Sequence, residues 1–180
     1  MSATDTLRKD HIQIRRLEKI ITKCYKKLYA EQSIPFSDIK QITLIMSEFL
    51  DAIHYSREED AYFPCVASYD SLKKEIRAFM IEHEFGRRIA KSVLTHLQRW
   101  KEGQNAREPV ARFLKTYAVY LDDHMTKEEC FFDTTEKEIL SQEEEKMMYE
   151  EFKAVTAVTT KLDEMIKSID TLEEKTWMKE

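Results

Sequence analysis

The sequence has very little glycine and proline, with two glycines and three prolines in 180 residues. Charged side chains make up 35% of the chain, and glutamate, lysine, leucine and methionine are plentiful. This composition favours an all-helical domain over a sheet. The length suits one domain, residues 1–180, with a substantial core.

Further absences argue against whole classes of function. Lys and Arg number 29 against 34 Asp and Glu, so the chain carries no nucleic-acid footprint. No apolar run approaches membrane-spanning length, and the polar N-terminus predicts no signal peptide. The three cysteines, Cys24, Cys65 and Cys130, are widely separated and form no CxxC pair. They predict no disulfide framework, and a reducing cytoplasm is the expected location.

Hydrophobic periodicity predicts five helices. They cover about residues 5–30, 37–63, 70–101, 109–135 and 141–170, with the last dozen residues expected to fray. Short connections imply antiparallel neighbours. The expected fold is therefore all-α: an up-down-up-down four-helix bundle over about residues 5–135, with an additional C-terminal helix over about 141–170.

Local signals predict where these helices begin and end. Small polar residues precede three helices, prolines lie near two ends, and a glycine follows the third helix. The C-terminal helix has the Ser-x-x-Glu pattern of a capping box and an apolar face that includes Val155. The expected boundary residues are Ser37, Pro64, Ser68 or Asp70, Gly103, Pro109, and Ser141 with Glu144.

Four of the five histidines lie on the apolar faces of the four bundle helices, where a histidine costs free energy unless something binds it. Two of them begin the pattern H-x-x-x-E, and residues four apart share one helix face. This arrangement predicts a metal site, and its two carboxylates suggest a pair of metal ions. Imidazole and carboxylate together suit iron, manganese or zinc better than copper(I) or calcium. The candidate ligands are His11, His54, Glu58, His83, His124 and Glu128.

The spacing alone is a weak signal, because 34 of the 180 residues are acidic. One histidine on each of four bundle helices is the stronger argument against four separate core histidines. The fifth histidine, His96, lies about 20 Å further along its helix than His83. It should point elsewhere and serves as the control.

The neighbours of the ligands leave alternatives open. Glu59 and Glu129 are expected to be solvated, with a place in the site as the alternative. Residues that precede a ligand histidine point about 100° away from it, so they could support the site only from a neighbouring helix. Tyrosines one turn from a ligand are core filler or line the metal pocket, and a mid-helix glycine either packs closely or makes room beside the metals. These residues are Asp10, Glu82, Asp123, Tyr62, Tyr120 and Gly86.

The order H, HxxxE, H, HxxxE resembles the hemerythrin-like (HHE) family of cation-binding domains. The resembling segments are KDHIQIRRLEKII, HYSREEDAYFP, EHEFGRR and DDHMTKEECFF. The resemblance implies two iron ions in a four-helix bundle, joined by an oxo or hydroxo bridge and by Glu58 and Glu128. His11, His54, His83 and His124 would be the remaining ligands. Ferritin-like proteins are the rival, but the chain lacks their Glu-x-x-His pairs.

The sequence departs from the oxygen-carrying hemerythrins, which have five ligand histidines and an HxxxH pair on the third helix. Here Phe79 and Arg87 lie four residues either side of His83. In the carriers the last carboxylate follows its histidine by five residues, whereas here it follows by four. The six ligands and one solvent bridge would fill about ten of about twelve positions on two six-coordinate irons. The additional open position favours reaction with a small oxidant over reversible carriage.

The sequence thus predicts a cytoplasmic di-iron protein that binds or reacts with O2, NO or peroxide. Two alternatives stay open: an iron-binding or iron-sensing protein without catalysis, and a metal-free helical interaction module. Neither a nucleic acid nor a membrane is an expected partner.

Overall fold

The computed structural model describes residues 2–154 and 156–179, with the side chains of 156–159 left out. Val155, assigned above to an apolar helix face, lies outside the described residues. Apart from short connections the described residues are helical, and none of them forms a strand, which confirms the all-α class. No helix in this part of the chain is long and apolar enough to span a membrane.

The first helix, α1, covers Ala3–Tyr29 and begins slightly earlier than predicted. Ser2 and Asp5 form a reciprocal capping box: the Asp5 backbone N–H donates to the Ser2 hydroxyl, and the Asp5 carboxylate accepts from the Ser2 N–H. Both orphan donors of the first turn are thereby satisfied. The apolar residues on either side of His11, Leu7 and Ile14, are fully buried.

The second helix, α2, spans residues 36–67 and is mixed. Its ends, Phe36–Ile45 and Phe63–Ala67, are α-helical, whereas Met46–Tyr55 and Glu58–Tyr62 are π-helical. π-Helical turns bond residue i to i+5, are rare and often occur at functional sites. Both His54 and Glu58 lie in them. The predicted helix is present, but helical periodicity did not indicate that much of it is π-helical.

Two predicted boundaries of α2 were wrong. Pro35, not Ser37, occupies the cap position, and the Ser37 hydroxyl bonds to the Asp38 carboxylate. Pro64 does not end the helix. It lies in the first turn of the α-helical segment Phe63–Ala67, which continues directly from the π-helical turns of α2.

The third and fourth helices, α3 and α4, cover Lys73–Lys101 and Arg107–Thr134. A 3₁₀ turn, Asp70–Leu72, precedes α3. Neither predicted residue caps α3: the Ser68 hydroxyl bonds to the Cys65 carbonyl, and Asp70 pairs with Lys73. Gly103 follows α3 with φ of +88°, a left-handed conformation that suits glycine at a helix end. Pro109 lies in the first turn of α4, which a π-helical turn, Thr135–Ile139, extends.

In the C-terminal region the described residues are helical over Gln142–Ala154 (α5), Thr156–Glu173 (α6) and Thr176–Lys179 (α7), so helix continues beyond the predicted end near residue 170. The predicted capping box of Ser141 and Glu144 is present. The prediction of a frayed end was wrong. Trp177 is buried, and its indole N–H donates to Asp38 at 2.9 Å, which anchors the last turn.

The long helices pack side by side around the candidate ligands. α4 lies between α1 and α3, and α2 contacts α3 and the C-terminal helices. Ion pairs of Arg8 with Glu129 and of Arg15 with Asp122 show that α1 and α4 run antiparallel. Two apolar clusters fill the interior. Along α1 and α4, the candidate ligands fall between residues of one cluster and residues of the other.

Candidate metal centre

The structure brings all six candidate ligands together in the core. Every one of them is at most 3% exposed, although histidine and glutamate are rarely buried without partners. One helix turn separates the members of each H-x-x-x-E pair, so both point into the same space. The six residues are His11 on α1, His54 and Glu58 on α2, His83 on α3, and His124 and Glu128 on α4.

The four imidazoles turn their Nε2 atoms toward the two glutamates. The Glu128 carboxylate lies 3.3 Å from Nε2 of His11, 3.5 Å from that of His83 and 3.1 Å from that of His124. The Glu58 carboxylate lies 3.6 Å from Nε2 of His54 and 3.3 Å from that of His83. Glu128 therefore occupies the centre of the cluster, with Glu58 beside it.

None of these inward-facing atoms has a hydrogen-bond partner. The four Nε2 atoms and all four oxygens of Glu58 and Glu128 are buried and unsatisfied. A buried polar atom left without a partner costs about 1–3 kcal/mol, so eight together need something that satisfies them. A cation held between the nitrogens and the carboxylates would do so.

The geometry divides the cluster into two groups that could each hold a metal ion. One group contains His11, His54, Glu58 and Glu128, and the other contains His83, His124 and Glu128. Within each group the ligand atoms lie within 4.8 Å of one another. Glu128 belongs to both groups, as a bridging carboxylate would. The donors present therefore fit a metal centre.

The outer nitrogens of the imidazoles face a second set of carboxylates. Nδ1 of His11 lies 2.6 Å from Glu129, Nδ1 of His83 lies 2.7 Å from Glu59, and Nδ1 of His124 lies 2.8 Å from Glu82. Nδ1 of His54 lies 3.5 Å from Asp10. A carboxylate that accepts the Nδ1–H fixes the tautomer with Nε2 free to bind a metal.

These four carboxylates share one arrangement. Each is adjacent in sequence to a candidate ligand on its own helix, and each faces Nδ1 of the candidate histidine on a different helix. Asp10 on α1 faces His54 on α2. Glu59 on α2 bonds to His83 on α3, Glu82 on α3 bonds to His124 on α4, and Glu129 on α4 bonds to His11 on α1. The supporting contacts thus run around all four helices. Each carboxylate is in turn paired with a cation, namely Arg57, Arg87, Lys127 and Arg8 respectively.

The supporting carboxylates correct one prediction and resolve another. Glu59 and Glu129 were expected to be solvated, but both hydrogen-bond a site histidine. Asp10 and Glu82 support the site from a neighbouring helix, whereas Asp123 pairs with Lys127 at the surface. An acidic residue beside a candidate ligand on every helix is visible in the sequence. Which histidine each acid contacts depends on which helices are adjacent, and the sequence does not show this.

Buried charge shifts the pKa values of the site. Burial disfavours the charged imidazoles, but the close carboxylates of Glu128 and of the other neighbouring glutamates outweigh it and raise the pKa of His11 to about 9 and that of His83 to about 11. Burial would likewise raise the pKa of Glu128, yet the imidazoles of His124, His11 and His83 hold it well below its usual range. Without metal, the cluster thus retains protons on histidine and negative charge on Glu128.

Two tyrosines wall one side of the cluster. The Tyr55 ring stacks on His83 with ring centroids 3.9 Å apart, and the Tyr120 ring stacks on His124 at 5.2 Å. Their hydroxyls are hydrogen-bonded to each other at 2.9 Å. The sequence singled out Tyr120 but missed Tyr55, which directly follows a ligand and carried no signal of its own.

Other residues singled out by the sequence lie away from the ligands. The Tyr62 hydroxyl bonds to Thr4 and Thr135. His96 stacks on Phe113 at 5.3 Å, as expected for a residue outside the cluster. Gly86 makes room for the Tyr120 ring, so its role is close packing against a residue that touches a ligand.

Comparison with known proteins agrees with this geometry. The family model described as the hemerythrin HHE cation binding domain matches residues 2–132, which include all six candidate ligands. Neither the curated proteins nor the solved structures give a significant match. The match covers well over half of the chain, and the chain therefore belongs to the hemerythrin HHE cation-binding domain family.

Proposed function

We propose that this chain is a cytoplasmic non-haem di-iron protein that binds or reacts with a small ligand, namely O2, NO or peroxide. One observation carries the proposal: four imidazole nitrogens and two carboxylates meet in the core with every inward-facing atom unsatisfied. Membership of a cation-binding family supports it. Neither a nucleic acid nor a membrane is part of the proposed function.

In this proposal the ligands are His11, His54, Glu58, His83, His124 and Glu128, arranged in an up-down-up-down four-helix bundle. Two ions are inferred because the ligand atoms form two groups that share Glu128. Glu58 is inferred to be the second bridge, because it lies near histidines of both groups. Iron is the metal favoured by the family, and manganese and zinc suit the same donors.

A bound iron pair would supply Lewis acidity and one-electron redox change. The chain's own residues would exclude water from the site and orient the imidazoles. Apolar clusters on either side exclude water, which strengthens the attraction between the carboxylates and a cation. Glu59, Glu82 and Glu129 hold three imidazoles in the tautomer that leaves Nε2 as the donor atom.

Reaction with a small oxidant is favoured over reversible carriage of O2 for two reasons. The six ligands leave about two coordination positions open on two six-coordinate ions when a solvent bridge is counted. In addition, the rings of Tyr55 and Tyr120 stack on His83 and His124, and their hydroxyls bond to each other. Each phenol carries an O–H, and the proposal assigns this pair the role of proton donor to a bound oxidant.

The proposal is tested by mixing the reduced, iron-loaded protein with hydrogen peroxide and, separately, with O2 in a stopped-flow instrument. Consumption of peroxide, or oxidation within seconds to minutes in air, is expected. O2 uptake that reverses under vacuum over many cycles would instead indicate a carrier. A loaded protein inert to both oxidants would favour the alternative of iron binding or sensing without catalysis. Failure to bind any metal would favour the helical interaction module.

A further inference from the structure

One of the four supporting contacts around the cluster differs from the other three. Nδ1 of His11, His83 and His124 lies 2.6–2.8 Å from its carboxylate. Nδ1 of His54 lies 3.5 Å from Asp10, beyond a normal hydrogen bond, and has no other partner although His54 is 1% exposed. His54 is therefore the least supported of the candidate ligands.

Arg57 accounts for this difference. Its Nη1 donates at 2.6 Å to Asp10 Oδ2, the same oxygen that lies 3.5 Å from His54. The longer side chains of Glu129 and Glu82 place one oxygen on the histidine and the other on the cation. Glu59 reaches both His83 and Arg87 through Oε1, and its Oε2 also contacts Arg87. Aspartate is one methylene shorter than glutamate, and here its oxygen is drawn to the cation.

The position of Arg57 is fixed by packing. Its side chain is 10% exposed, and its guanidinium lies 5.6 Å from the centre of the Phe152 ring on α5. A guanidinium stacked on an aromatic face and bonded to a carboxylate has little freedom to leave. The Asp10–Arg57 pair is therefore a stable part of the fold rather than a passing surface contact.

Loss of the outer hydrogen bond of a ligand histidine weakens metal binding, because that bond raises the basicity of Nε2 and fixes the ring orientation. Its removal typically costs 10–100-fold in affinity. We propose that the two metal positions are unequal: the one built on His11 and His54 is the weaker, and Arg57 makes it so by holding Asp10 away from His54. This inference rests on the proposed two-metal centre.

The inequality would give the protein one retained ion and one exchangeable ion. His83 and His124, which have short contacts to Glu59 and Glu82 respectively, would hold the first ion together with Glu128. The second would follow the free metal concentration over a range in which the first stays bound. Arg57 is thus a positioning residue that acts through Asp10 and touches no metal.

The test is an anaerobic titration of the full metal-free chain with cobalt(II), followed by visible absorption and by competition with a chelator of known affinity. Wild type should bind two ions with affinities at least about tenfold apart. His54→Ala should abolish the weaker step and keep the tighter one. Asp10→Glu, which extends the carboxylate toward His54, should bring the two affinities together, and so should Arg57→Gln.

The matched control is Glu82→Asp, which shortens the partner of His124 and should weaken the tighter step instead. Circular dichroism of each metal-free variant checks folding, and if Asp10→Glu does not fold, Arg57→Gln decides. Two equal affinities in wild type would overturn the inference and leave the metal centre standing. The inference is also overturned, with the metal centre still standing, if both Asp10→Glu and Arg57→Gln leave the difference between the two metal affinities unchanged. Binding of fewer than two ions by wild type would overturn the two-metal proposal itself and this inference with it.

Discussion

A Cβ atom built on Gly86 would lie 2.7 Å from Cε1 of the Tyr120 ring. Real Cβ atoms do not approach other atoms so closely, so any larger residue at position 86 must displace that ring. The ring stacks on His124 and bonds to the Tyr55 hydroxyl. The mid-helix glycine therefore allows α3 and α4 to approach closely where the tyrosine pair meets the candidate metal ligands.

Gly86→Ala should destabilise the metal-free protein despite the better helix propensity of alanine. Alanine gains about 1 kcal/mol over glycine within a helix, whereas overpacking a core costs about 1–3 kcal/mol. A net loss of about 1 kcal/mol in the free energy of unfolding is expected by urea denaturation. If the clash with the ring is the cause, Gly86→Ala should cost less in a Tyr120→Leu background than in wild type. A single variant more stable than wild type would show that the ring moves aside freely.

Substitution of a candidate ligand should lower the metal content of the protein, whereas substitution of the histidine outside the cluster should not. Glu128→Ala should lose both metal ions, because Glu128 belongs to both groups, and His54→Ala should lose at least one. His96→Ala should keep both, because His96 packs on Phe113 outside the cluster. Metal content of the three purified variants, measured by elemental analysis, checks this. Equal content in all three would mean that the metal lies elsewhere.

Removal of metal should lower the melting temperature. A metal that binds only the folded state stabilises it by mass action, and without it the unsatisfied atoms of Glu58, Glu128 and the histidines stay buried. We expect a strong chelator to lower the melting temperature by several degrees, and readdition of iron to restore it. An unchanged melting curve after demonstrated metal removal would contradict a stabilising role.

Metal binding should release protons at pH 7. Although burial opposes it, contacts with glutamates raise the pKa of His11 to about 9 and that of His83 to about 11, so both are largely protonated in the metal-free protein. A metal needs the neutral Nε2 atom. Affinity should therefore rise with pH from 7 toward 9. Calorimetry in buffers with different ionisation enthalpies measures the release, and heats independent of the buffer would contradict it.

The cluster of candidate ligands could be anticipated from the sequence because its signal is local. A histidine such as His83 on an apolar helix face, or the spacing of His124 and Glu128, is visible within one helix. The supporting carboxylates could not be assigned in the same way. Glu129 does not face His124 on its own helix. It supports the site only because α1 places His11 beside it, and that placement depends on which helices are neighbours in the fold.

Other features of the fold could not be read from helical periodicity. The π-helical turns at His54 and Glu58 differ from α-helix by one residue in the hydrogen-bond register, and the apolar pattern of α2 is compatible with both. Pro64 is a helix breaker by rule, but here it lies where the π-helical turns of α2 change to the α-helical segment Phe63–Ala67, and the helix continues past it. Trp177 holds the C-terminus in place through Asp38, a partner 139 residues away in sequence.

Elemental analysis of the protein after anaerobic iron loading tests the central claim most directly. We expect two irons per chain, because the inward-facing atoms form two groups that share Glu128. Excess iron is removed by gel filtration before the measurement, and Glu128→Ala is loaded and analysed in parallel. Two irons in wild type with loss of both in the variant would support the di-iron centre. One iron or none in wild type would contradict it.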